Sequence, residues 1–199
     1  MFLSSRLPNR LPPPIQHSNE SGFSEGAARA LLTHLSGDIG VREQGMTTNE
    51  IDTPNFLVET IQSMQAVAQK NGWRLHVEVE TVSGALDYYF VHTQFTNVYN
   101  NLTNVVVSLS PETISPDQPA FLLGAHYDSA FRSPGASDDG VSVVVILETI
   151  RCLVNQKASH YRNRLVAVLN GAEESYLIGS HASVSYTHLR AHETPEHLV

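Results

Sequence analysis

Two short runs constrain the fold of this chain more than anything else in it. Residues 120–126, AFLLGAH, and 164–170, RLVAVLN, are apolar on both faces. Each therefore predicts a strand inside a covered sheet rather than one with a wet face. Between them, residues 140–156 are apolar and long enough for a helix. The β-branched Val143, Val144 and Val145 leave a strand open on periodicity, and length decides for the helix. Upstream, Ser24 is placed to cap a helix that carries Ala28, Leu31, Leu32 and Leu35 on one face and is expected to stop at Gly37. Residues 38–53 read as irregular. Residues 54–70 put Leu57, Ile61, Met64 and Ala68 on one helical stripe, stopped by Asn71-Gly72. Leu75, Val77 and Val79 alternate with His76, Glu78 and Glu80 as in a half-buried strand; TNVVVSL, 103–109, is the next strand, and 110–119 a surface loop. Helices and strands in this order predict an α/β sandwich about a largely buried sheet. Ligands in such sheets gather where strands end.

Both covered runs end in chemistry. The first leads into His126-Tyr127-Asp128 and then PGASDDG, residues 134–140; the second into Asn170-Gly171-Ala172-Glu173-Glu174. Spacing of two on a strand sends His126 and Asp128 to the same side, where a ligating imidazole would pass its second N–H to the carboxylate. Alone, each piece has an ordinary structural reading: a strand end with a turn, an acidic helix start, a pair of solvated glutamates. Together they bring one imidazole and several carboxylates to successive strand ends. Imidazole and carboxylate oxygens suit zinc, and a carboxylate can bridge two such ions. Two adjacent glutamates then have separate tasks, one binding metal and the other deprotonating the attacking water.

HYDS, PGASDDG and NGAEE resemble the di-zinc aminopeptidase family of metallopeptidases. Within it, FSEGAARALLTHLS, YNNLTNVVV and NGAEESYLIGSHA are similar to the membrane-anchored members of the endoplasmic reticulum. The resemblance implies a three-layer α/β sandwich with a central mixed sheet of the zinc-exopeptidase type, its C-terminal part missing here. It implies two Zn2+ per complete site, with His126 on one ion, Asp138 bridging both and Glu174 on the other. Glu173 would be the general base and Asp128 the partner that orients His126. A cis peptide is expected at Asp138–Asp139. The substrate would be a peptide, and the domain would face the lumen of an endoplasmic reticulum membrane. Asn101 and Asn19 head triplets that fit N-glycosylation there. The same fold also serves receptor or adhesion modules that lack the base and ligands, and single-zinc glutaminyl cyclases; His126, Asp138, Glu173 and Glu174 favour the peptidase.

A complete site of that family needs a further Asp and a further His downstream, and this sequence has no Asp after Asp139. Residues 183–194, SVSYTHLRAHET, read as the translated end of a sequencing adapter, so 183–199 is taken as a non-native tail. Residues 1–22, rich in Pro, Ser and Asn, read as a flexible arm or linker, and 23–182 as a partial peptidase domain. Expressed alone, the chain is expected to bind zinc weakly and to lack peptidase activity. The formal charge of −8, with only twelve Lys and Arg, argues against nucleic acid or anionic lipid as partner. No stretch approaches the roughly 18 apolar residues of a membrane span, so any membrane contact is expected through segments outside this chain. The lone Cys152 excludes an internal disulfide and reads as a small buried hydrophobe. Gly40 to Gly45 reads as a solvated loop with no catalytic task.

Overall fold

The computed structural model describes residues 22–115 and 118–184. The expectations for residues 1–21, including Asn19, and for 185–199 lie outside them. Helix α1 is Glu25–Thr33, and the Ser24 hydroxyl accepts from the Ala27 amide as an N-cap should. It does not stop at Gly37. A wider π-type turn, His34–Ile39, carries it on to Gly40, whose φ of 80° closes it in the left-handed region. The stretch read as irregular is partly helical: Thr48–Asp52 forms another wide turn that runs into α2, Thr53–Gln62. The long second helix of the sequence breaks at Ser63-Met64 into α2 and α3, Gln65–Lys70. Its stripe survives the break, because Leu57, Ile61, Met64 and Ala68 are all buried.

Strands β1, Trp73–Phe90, and β2, Thr93–Pro111, form a hairpin far longer than the runs that announced it. Val91 and His92, both at positive φ, make its two-residue turn. A bulge opposite Ser83 places Asn101 at φ 54°, so the distal hairpin is an arm beyond the sheet. β3, Ala120–His126, leads through a π-type turn, Ala136–Gly140, into α4, Val141–Val154, and then to β4, Arg164–Asn170. The sheet order is β1-β2-β4-β3, antiparallel except for the β3–β4 pair, which makes it mixed. Helical residues 178–184 follow.

All four α-helices pack on one face of the sheet. Val105, Val107, Leu109, Ala167 and Leu169 from the strands meet Leu57, Ile61, Val143, Leu147 and Ile150 from the helices in one core. The ion pair of Glu148, which is 1% exposed, with Arg151 ties α4 to the start of α1: Glu148 accepts from the Ser24 amide, and Arg151 donates to the Gly22 carbonyl. The other face of the sheet, with Val106, Leu122, Val166 and Val168, borders an open apolar cavity of about 550 Å³ beside residues 178–184.

Here the sequence reading needs correction. β3 is not an interior strand: among the described residues only β4 pairs with it, and Phe121 and Leu122 are 65% and 69% exposed. Hydrophobicity on both sides reports the capacity to be covered, whereas strand position depends on long-range pairing. Cys152 is half-buried rather than buried. No described helix is long and apolar enough to cross a membrane.

Candidate active site

The parallel pairing of β3 with β4 sets His126 opposite Asn170, so both strands end at the same edge. There the loops after them meet. The His126 ring is nearly buried. Its Nδ1 lies 3.2 Å from Asp128 Oδ1, and its Nε2 lies 3.1 Å from Asp138 Oδ1 and 3.7 Å from Glu173 Oε2. Asp128, 1% exposed, does more than hold the imidazole. Its Oδ1 accepts the Glu173 amide and its Oδ2 the Glu174 amide, each at 3.0 Å. One carboxylate therefore locks the β3 loop to the turn after β4.

Asp138 sits in a tight loop. Gly135, at φ 55°, starts it, and a Cβ there would lie 2.6 Å from that of Ser129. The Asp138–Asp139 peptide is cis, as expected, and the Asp138 side chain is 79% exposed towards the opening. Asp139 turns back, its Oδ2 facing the His126 amide at 3.4 Å. Glu174 makes its contact to Asp128 through the backbone, and its side chain is exposed. The sequence residues His126, Asp128, Asp138, Glu173 and Glu174 are thus brought to one edge. Asn101 lies away from it, exposed on the hairpin arm.

The charges explain the electrostatics. Burial pulls the His126 imidazole down, but Asp128, Asp138 and Glu173 outweigh it and push the group up to about 9. Burial also raises the Glu174 carboxyl; Asp138 adds to that, and His126 opposes it. Carboxylates crowded about an imidazole favour a positive charge at their centre, whether a proton or a cation. The donor set, one imidazole nitrogen with carboxylate oxygens, is that of zinc. Among the described residues no three His, Cys, Asp or Glu side chains are already arranged as a metal cage. The residues fit a cation by chemistry and by shared location, with Asp138 and Glu174 open to it.

Sequence reasoning missed what lies beneath. Arg42, in the supposed solvated loop, is fully buried, and its guanidinium donates to five backbone carbonyls. Burial pulls it down to about 10 while Asp128 acts the other way. Gly171 passes under Tyr127, where an added Cβ would lie 2.3 Å from the Thr103 carbonyl oxygen. The Asn104 side chain accepts from the Gly171 amide and donates to the Gly179 carbonyl, pinning both ends of the glutamate turn. The hairpin arm holds that turn from outside: Asn97 donates to the Ser175 carbonyl, and Tyr88, Phe95 and Tyr176 cluster ring to ring. An arginine between two glycines was the only signal of the first contact; the rest have none in local pattern.

This is the architecture of a zinc-exopeptidase α/β domain. Residues 104–195 match the model of peptidase family M28, a match that runs past residue 183 into the stretch read as a non-native tail. Over those residues the chain carries that family's domain. It is 37% identical over 164 residues to endoplasmic reticulum metallopeptidase 1 of Mus musculus, an alignment covering 82% of this chain and 18% of the relative. The chain thus spans under a fifth of that relative's length. Among solved structures it shares its fold with the LapA aminopeptidase of Legionella pneumophila, with a TM-score of 0.59 and 23% identity over 83% of this chain and 39% of that one. It also superposes on BSAP, a zinc aminopeptidase from Bacillus subtilis, with a TM-score of 0.55 and 15% identity over 90% of this chain and 68% of that one.

Proposed function

We propose that this chain carries the base and three of the metal ligands of a zinc-dependent exopeptidase that acts on peptides. One observation carries the reading. The buried Asp128 orients His126 Nδ1 through Oδ1 and, with Oδ1 and Oδ2, fixes the amides of Glu173 and Glu174 respectively. That single anchor sets imidazole and carboxylates at one edge. His126, Asp138 and Glu174 would hold zinc, two ions per complete site. Zinc, when bound, supplies a Lewis acid that lowers the pKa of water and stabilises developing negative charge.

The chain's own residues do the rest. Glu173, partly exposed beside His126 Nε2, takes the proton of the attacking water and returns it to the leaving amine. Asp128 accepts from Nδ1, which leaves Nε2 as the nitrogen that would bind a cation. The tight Gly135–Gly140 turn presents the Asp138 carboxylate to the opening. Kinship with the endoplasmic reticulum metallopeptidase supports a lumenal domain of a membrane-anchored protein. Asn101, exposed on its bulge, is then the accessible glycan acceptor. Residues 23–182 are the peptidase portion and 183–199 a non-native tail; genomic DNA encoding SYTHLRAHET in frame would refute the latter.

The test is Glu173→Gln in the full-length protein. Zinc content is expected to stay at two per chain while hydrolysis of an aminoacyl anilide falls by about 10²–10⁴-fold. Loss of zinc together with turnover would remove Glu173 from the role of base. An unchanged phenotype in a zinc-free protein would favour a receptor module.

A further inference from the structure

We infer that Arg42 is a positioning residue for this site: its guanidinium sets the distance between the loop that carries His126 and Asp128 and the loop that carries Asp138. The inference rests on the proposed zinc site for its consequence, though not for its geometry. Nε donates to the Tyr127 carbonyl at 2.6 Å, between His126 and Asp128. Nη1 donates to the Pro134 carbonyl at 2.9 Å and Nη2 to that of Gly135 at 3.2 Å, at the start of the Asp138 turn. Nη1 also reaches the carbonyls of Leu35 at 3.0 Å and Gly40 at 2.6 Å, which anchors the clamp to the end of the first helix. The backbone joins in: the Arg42 amide donates to Ser129 Oγ at 2.9 Å, and the Ser129 amide to the Arg42 carbonyl at 3.0 Å.

Geometry argues for positioning over simple filling of space. A guanidinium at 0% exposure that meets five carbonyls and no carboxylate is a rigid planar fork, and its acceptors lie at fixed angles to one another. Three of the five lie within four residues of His126, Asp128 or Asp138. The turn is fitted closely to it, since a Cβ on Gly135 would lie 2.9 Å from Arg42 Nη2. No strand pairing joins these loops; besides the fork they meet through the Ser129 hydroxyl, which donates to the Ser133 carbonyl at 2.7 Å, and through the contacts of Asp138 and Asp139 with His126, and the fork ties both to the end of the first helix. A lysine would keep the charge and supply one point of donation in place of three nitrogens.

The test compares the full-length protein with Arg42→Lys, with Ser129→Ala as a milder break of the same clamp, and with Ile61→Val as a remote core control. Hydrogen exchange is read at 127–129 and 134–140, and zinc affinity by competition with a chromophoric chelator. Arg42→Lys is expected to speed exchange at both loops by tenfold or more while the β2–β4 amides stay protected. It should weaken zinc by about 10–100-fold, the usual cost of losing support behind a ligand. Ser129→Ala should do the same at the same places to a smaller degree, and Ile61→Val should do neither. Parental exchange in both loops of Arg42→Lys would overturn the inference. So would a zinc loss no larger than that of Ile61→Val. If the full-length parent takes up no zinc, the metal reading fails, and the exchange data alone decide for or against the clamp.

Discussion

His126 is the residue on which the charges of the site converge, and its protonation should be visible in stability. Its folded-state pKa, raised to about 9 from a free value of 6.5, means that the folded chain holds the proton more tightly than the unfolded one. The stabilisation is complete below the free value and is lost as pH rises through about 9. In chelator, the urea midpoint of the zinc-free chain should therefore fall between pH 6.5 and 9.5, and His126→Gln should flatten that slope. An equal slope in the variant would place the titration elsewhere. The same proton must leave when a cation arrives at Nε2, so zinc uptake should release protons over this range.

At the scale of elements, helices and loops are tied together by buried charge as well as by apolar packing. Glu148 is buried on α4, accepts both from Arg151 and from the Ser24 amide, and so joins α4 to the start of α1. Removing one partner of such a pair leaves the other uncompensated. Glu148→Ala should cost about 3 kcal/mol in denaturant unfolding, while Glu148→Gln, which keeps an acceptor for the Ser24 amide, should cost less. Equal costs would mean that the amide acceptor contributes nothing. The hairpin arm works on the same scale: it extends past the sheet at the edge where β4 ends, and through Asn97 and its aromatic rings it braces the turn that bears Glu173 and Glu174.

For the whole molecule, the defining asymmetry is between the two faces and two edges of the sheet. One face is covered by four helices, while among the described residues β3 is paired on one side alone, with Phe121 and Leu122 exposed and Leu122 bordering an apolar cavity. An open apolar edge invites pairing with another chain. Light scattering should show concentration-dependent association of the 199-residue chain, reduced by Leu122→Lys. Scattering that the charge leaves unchanged would locate the contact on another surface.

Much of this protein was legible in its sequence, and the reason is local. The Ser24 cap, the Leu57–Ile61–Met64–Ala68 stripe, the strands ending at His126 and Asn170, and the acidic pieces after them follow from hydrogen bonding and periodicity over a few residues. Those forces leave a mark in residue order. Other features have no such mark. That β3 is an edge and β4 interior, that the hairpin runs on past Val79 into an arm, and that α2 breaks from α3 depend on which distant segments pair. Arg42 is the sharpest case: its acceptors at Tyr127, Pro134 and Gly135 lie 85 to 93 residues away, and they are main-chain atoms, which every residue possesses and no sequence distinguishes.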